Sequence, residues 1–152
     1  MAVSFFNADI SFRLSQKLLL KQFIQECFLA ETKKQLSLTY IFCSDDYLLK
    51  VNQDFLQHDY YTDIITFPLT STPQLLEAEI YISIDRVKEN SLQFAGAAKA
   101  SAFKQELHRV IFHGVLHLLG YGDKTSAQKK TMRAAEDQWL KLYSTFLAQQ
   151  GA

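Results

Sequence analysis

The sequence has 152 residues, enough for one domain with one core, and a chain of this size buries roughly two thirds of the surface its unfolded state exposes. Sixteen basic and sixteen acidic residues cancel, which excludes a global positive field and leaves any nucleic-acid contact to a local patch. No apolar run is long enough to cross a bilayer, so no membrane partner is expected.

The start, Met1-Ala-Val-Ser-Phe-Phe-Asn, lacks the basic segment and long apolar stretch of a secretion signal, so a cytoplasmic, reducing location is expected. Val3 to Ala8 reads as a short strand, and Ser15 as the N-cap of a helix with Leu20, Phe23, Ile24, Cys27 and Phe28 at 3-4 spacing. Leu36 to Cys43 reads as a strand covered on both faces, after which Ser44 caps a helix that turns Leu48, Val51 and Phe55 inward. Leu56 to Tyr61 has no period. Asp63 to Leu69 and Glu79 to Ile84 read as two strands separated by a Ser-Thr-Pro segment. From Asp85 the pattern is helical: one helix to about Phe94, a second carrying His113 and His117, and a third from near Ser126 with Met132, Ala135, Trp139, Leu142 and Phe146 on one face. This order predicts an α/β fold of the α+β type: a single domain over 1–152 with a small mixed four-stranded sheet and the final helices packed against it. Cys27 and Cys43 fit small buried hydrophobes, with no disulfide framework.

The chemistry concentrates in the pattern His-x3-His-x2-Gly-x2-Asp formed by His113, His117, Gly120 and Asp123. Histidines four apart on a helix share a face, so both imidazoles reach one ion. Gly120 suits a left-handed residue that ends the helix and lets the chain bring Asp123 back to the same ion. Three protein ligands leave a coordination position open, as in catalytic zinc sites. The expected cofactor is one zinc per chain, and nickel, iron and manganese also suit such donors. Gly114 stands where the zinc-protease motif His-Glu-x-x-His has its glutamate base, which excludes a protease of that mechanism. A helix-interior glycine costs about 1 kcal/mol relative to Ala, so a side chain there would collide with substrate, with neighbouring backbone or with a packed helix partner. Glu106, two turns before His113, reads as a partner for an imidazole or an inner carboxylate near the site, and equally as part of a salt bridge or an exposed residue. His108 falls off the His113/His117 stripe and reads as a surface residue; His58 lacks a spaced partner and reads as a non-ligand.

Three segments together resemble the YbeY family of bacterial endoribonucleases, over most of the chain. Asn52-x-x-Phe55-x-x-x-Asp59-x-x-Thr62-Asp63-Ile64-Ile65-Thr66-Phe67-Pro68 is similar to the family's stretch leading into Thr-Asp-Val-Leu-Ser-Phe-Pro. Ala78-Glu79-Ile80-Tyr81-Ile82-Ser83 looks like the Gly-Asp-Ile-x-Ile-Ser strand, and the metal motif resembles His-Gly-x-Leu-His-Leu-x-Gly-Tyr-Asp-His. The resemblance implies an αβα fold with a zincin-like metal helix, and a metal-dependent hydrolase with a bound zinc that cuts single-stranded RNA. It implies action in 16S rRNA 3′-end maturation and ribosome quality control, with rRNA and the small ribosomal subunit or its assembly factors as partners and no role on DNA.

Three departures bear on activity. The family's third His is Asp123 here, preceded by Gly122. Either Asp123 replaces the imidazole as third ligand, which its spacing and zinc's acceptance of carboxylates favour, or two histidines hold the ion more weakly. The family's Arg after the aromatic is Leu56, which removes a phosphate clamp, and Glu79 stands for Asp. Asn52 falls on the Leu48-Val51-Phe55 face, where a buried amide needs partners and can tie the loop beneath the metal. Arg86, Lys124, Lys129, Lys130 and Arg133 are candidate phosphate contacts; a solvated helix face accounts equally well for Lys129, Lys130 and Arg133. No general base is legible. A non-catalytic ribosome-assembly factor with a fold-stabilising metal is the alternative reading.

Overall fold

A computed structural model describes residues 2–93 and 99–152. The elements run β1 (Val3–Asn7), α1 (Lys17–Thr32), β2 (Gln35–Cys43), α2 (Asp45–Leu56), β3 (Ile64–Ser71), β4 (Leu75–Ser83), α3 (Ile84–Leu92), α4 (Lys99–Leu118) and α5 (Ser126–Gln149). The end expected for α3 at Phe94 lies outside the described residues. The four strands form one mixed sheet in the order β1-β2-β4-β3, with β1, β2 and β4 parallel and β3 antiparallel to β4. The expected α+β architecture is therefore present.

β2 is fully covered on one face only. Leu36, Leu38, Tyr40 and Phe42 are buried and alternate with half-buried Ser37, Thr39 and Ile41, the period of a one-sided strand that its polar residues already spell out. The inward rows of β2 and β4 pack on α1, α4 and α5 in the main core. A smaller cluster on the other face joins Cys43 and Ile65 to Leu48 and Val51 of α2. Phe55, expected inward, is 71% exposed: the last turn of α2 runs past this cluster, and the ring meets only the edge of Phe67. Burial holds the Cys43 thiol well up, at about 12, and the half-buried Cys27 thiol at about 11.

Helix starts follow local chemistry. Ser44 caps α2 by accepting the Tyr47 N–H, as expected, but α1 begins after Gln16, a left-handed residue (φ 55°) with no side-chain cap, and not at Ser15. On α5 the buried set is Met132, Ala135, Glu136, Trp139 and Tyr143, whereas Leu142 is 44% exposed. The expected stripe follows a strict 3.5-residue period, and a straight helix at 3.6 drifts off it within two heptads.

His108 corrects the surface reading: it is 7% exposed, edge-on to Tyr143 and beside Phe112. α4 packs against α1, α3, α5 and the sheet, so residues Leu107 to Phe112 are all buried and the helix has little free face there. Burial, aided by the Lys104 charge, pushes the His108 pKa down to about 4. An unfolded histidine titrates near 6.5, so between these values the unfolded state binds the extra proton and stability falls as pH drops from about 6.5 toward 4. The loss approaches about 3 kcal/mol. His108→Phe removes it, so urea midpoints of the variant should fall less than wild type between pH 7 and 4.5; parallel pH profiles would refute the assignment.

Candidate metal centre

α4 carries His113 and His117 one turn apart, their rings 4.5 Å between centroids and nearly perpendicular. The helix then closes as a Schellman motif: Tyr121 N–H donates to the Leu116 carbonyl and Gly120 N–H to that of His117, each at 3.0 Å, with Gly120 at φ +103°. A short connection follows. Its far end is fixed by a capping box in which Thr125 accepts the Gln128 N–H, while Gln128 Oε1 accepts from the Lys124 and Thr125 amides. The Gln128 side chain lies where a Cβ on Gly122 would stand, 2.9 Å from that position. Between these two locks Asp123 is turned back onto α4.

His113 Nε2 and His117 Nε2 each lie 3.3 Å from the same oxygen, Asp123 Oδ2. Donor atoms bonded to one ion at 2.0–2.1 Å with tetrahedral angles sit about 3.3 Å apart, so these two distances match two edges of a zinc-type tetrahedron. His113, His117 and Asp123 form a group that could hold a metal ion, with their ligand atoms within 4.8 Å of one another. His113 Nδ1 is 2.6 Å from Glu136 Oε2 of α5, a contact that keeps a proton on Nδ1 and turns Nε2 toward Asp123 as a candidate ligand atom. Glu136 is 5% exposed, and its other oxygen accepts from Arg109 Nη1 at 3.2 Å. Arg109 also pairs with Asp137 at 2.8 Å and with Glu106 at 3.8 Å. Burial opposes charge on His113, but the hydrogen bond it donates to Glu136 and the Glu136, Asp123 and Asp63 charges outweigh it and raise its pKa. The site therefore favours positive charge.

The ligand group opens into a cavity of about 720 Å³. Asp63, half-buried at the start of β3, lines it; burial pushes its pKa up, partly offset by His113. Asn52 lines it too, 1% exposed, donating from Nδ2 to the Tyr60 carbonyl at 2.9 Å and so tying the loop after α2. Glu106 lines the cavity but faces Arg109, not an imidazole, and burial raises its pKa. Gly114 does not line it. Its Cβ would stand 2.6 Å from Ile80 Cδ1 and 3.1 Å from Ile64 Cδ1, so it serves the close approach of α4 to the sheet and not a substrate contact. Arg86, expected to meet phosphate, is outside the cavity as well: its guanidinium makes two contacts to Asp45, at 2.6 and 3.3 Å, bracing the starts of α2 and α3. His58 lines the cavity outside the ligand group. Glu136 is the residue sequence reasoning missed, and an acid inside the apolar stripe between Ala135 and Trp139 was its signal.

The family model described as Endoribonuclease YbeY matches residues 5–144. The chain belongs to the YbeY family. YbeY relatives include a Cytophaga hutchinsonii protein named Endoribonuclease YbeY, 47% identical over 140 residues, which span 92% of this chain and 94% of the relative. A Flavobacterium psychrophilum protein of the same name is 41% identical over 138 residues, 91% of this chain and 94% of its own length. A Thermotoga maritima protein solved in solution superposes with a TM-score of 0.63 at 25% identity, over 97% of this chain and 93% of that one. Against the YbeY pattern described above, Leu56 occupies part of the cavity wall and is 39% exposed. No helix among the described residues is long and apolar enough to cross a membrane.

Proposed function

We propose that this protein is a metal-dependent endoribonuclease that cuts single-stranded RNA. One zinc ion per chain would be held by His113, His117 and Asp123, in one domain over 1–152. The setting we propose is the cytoplasm, on rRNA of the small ribosomal subunit or with its assembly factors, in 16S 3′-end maturation and ribosome quality control. The convergence of two Nε2 atoms on Asp123 Oδ2, each at 3.3 Å, inside an open cavity carries this reading. The donor set, two imidazoles and a carboxylate, suits zinc.

When bound, the ion supplies Lewis acidity toward a phosphate oxygen or an attacking hydroxyl. Glu136 holds the proton at His113 Nδ1, and Arg109 balances the Glu136 charge. Glycine at 114 rules out the protease glutamate. Asp63, in no ion pair among the described residues, is the carboxylate free to take a proton from the nucleophile, either water or an adjacent 2′-hydroxyl.

Purified protein assayed on single-stranded RNA with the metal loaded or chelated tests the proposal. Cleavage is expected only in the loaded sample. Product ends bearing a 2′,3′-cyclic phosphate assign the 2′-hydroxyl as nucleophile, and 5′-phosphates assign water. Equal cleavage after chelation would overturn metal dependence, and binding without cleavage in the loaded sample would favour an assembly factor.

A further inference from the structure

The cavity walls hold chemistry that the ligand group does not use. Arg133, one turn before Glu136 on α5, lines the cavity with a side chain 56% exposed. Its closest carboxylate oxygen, Glu136 Oε1, is 3.9 Å away and already accepts from Arg109 at 3.2 Å. The other lining guanidinium, Arg109, is 11% exposed and is engaged by Glu106, Glu136 and Asp137. Lys129 and Lys130 are exposed elsewhere on α5 and do not line the cavity. With Asp63, Glu106, Asp123 and Glu136 in the same walls, a polyanion entering here meets Arg133 as the uncommitted side-chain cation among the described lining residues. On the loop after α2, His58 and Tyr60 stack with centroids 5.2 Å apart and planes at 20°, and the Tyr60 hydroxyl is 3.0 Å from His58 Nδ1. Tyr60 remains 56% exposed, although its backbone is tied to buried Asn52.

We propose that Arg133 and the Tyr60–His58 stack form a nucleotide-binding subsite, in which Arg133 holds a phosphate and Tyr60 stacks an unpaired base next to the cleaved linkage. The inference rests on the reading of the cavity as an RNA site. A guanidinium fork matches phosphate geometry, and a base reaches an aromatic face only when it is out of a duplex, so the pair selects single strands with little sequence preference.

The test is fluorescence anisotropy of a labelled single-stranded 2′-O-methyl RNA with the metal-loaded full chain at several salt concentrations, with RNA integrity checked afterwards on a gel. Arg133→Gln should weaken binding and make the slope of log affinity against log salt shallower by about 0.7, the value for one lost phosphate contact on a single strand. Tyr60→Ala should weaken binding about fivefold or more without changing that slope, and Tyr60→Phe should bind like wild type. Metal content and unfolding temperature should match wild type in all three. An unchanged slope in Arg133→Gln, or unchanged affinity in Tyr60→Ala, would overturn the subsite while leaving the proposed activity standing. A wild-type protein that binds no single-stranded RNA would overturn both.

Discussion

Replacing Glu136 by Ala should weaken metal binding about 10- to 100-fold and lower stability by about 3 kcal/mol. Two separate contacts set these effects. The hydrogen bond to His113 Nδ1 fixes the tautomer and ring orientation, and its loss lets the imidazole turn or take its proton on the ligand nitrogen. The stability loss comes from Arg109, 11% exposed, which would keep Asp137 and Glu106 but lose its most buried partner. Glu136→Gln separates the two: it preserves packing and a hydrogen-bond acceptor, so most of the stability should remain while affinity falls. Competition with a chromophoric chelator and urea unfolding measure the pair of effects. Unchanged metal affinity in Glu136→Ala would remove this residue from the site.

Asp123→Ala has the opposite signature. It removes one ligand atom, so affinity should fall further than for a residue acting through an imidazole, beyond about 100-fold. Stability of the metal-free protein should change by no more than about 0.5 kcal/mol, because the side chain is 41% exposed on a connection that the Schellman motif and the capping box hold without it. Asp123→His, which supplies an imidazole at the same place, should restore one ion per chain. Elemental analysis of the two variants decides between the ligand sets: full stoichiometry and affinity in Asp123→Ala would mean a site of two histidines.

The clustering of His113, His117 and Asp123 was legible because it depends on helical spacing and a glycine stop, both local properties. The partner of His113 was not, since it sits on α5 and is brought over only by the packing of α5 on α4. His108 misled for a related reason: amphipathic reasoning needs a wet face, and α4 has neighbours on several sides. The mixed sheet followed from alternating strands and helices, whereas the order β1-β2-β4-β3 is set by long-range pairing that no local pattern spells out. The second cover expected for β2 did not appear, because α2 reaches only the end of that strand. Gly114 invited a functional reading from its place in the motif, yet Ile80 and Ile64 account for it.

The distances along the chain that close the candidate ligand group and its Glu136 partner are short. His117 and Asp123 are 6 residues apart and His113 and Glu136 are 23 apart. Since loop-closure entropy grows as the logarithm of length, the second pairing costs only about 1 kcal/mol more than the first. Asn52, Tyr60 and Asp63 reach the cavity from the other half of the sequence, where α4 packs against β3. The candidate ligand group is thus a product of low contact order, confined to one helical hairpin, whereas the cavity beside it is a product of high contact order.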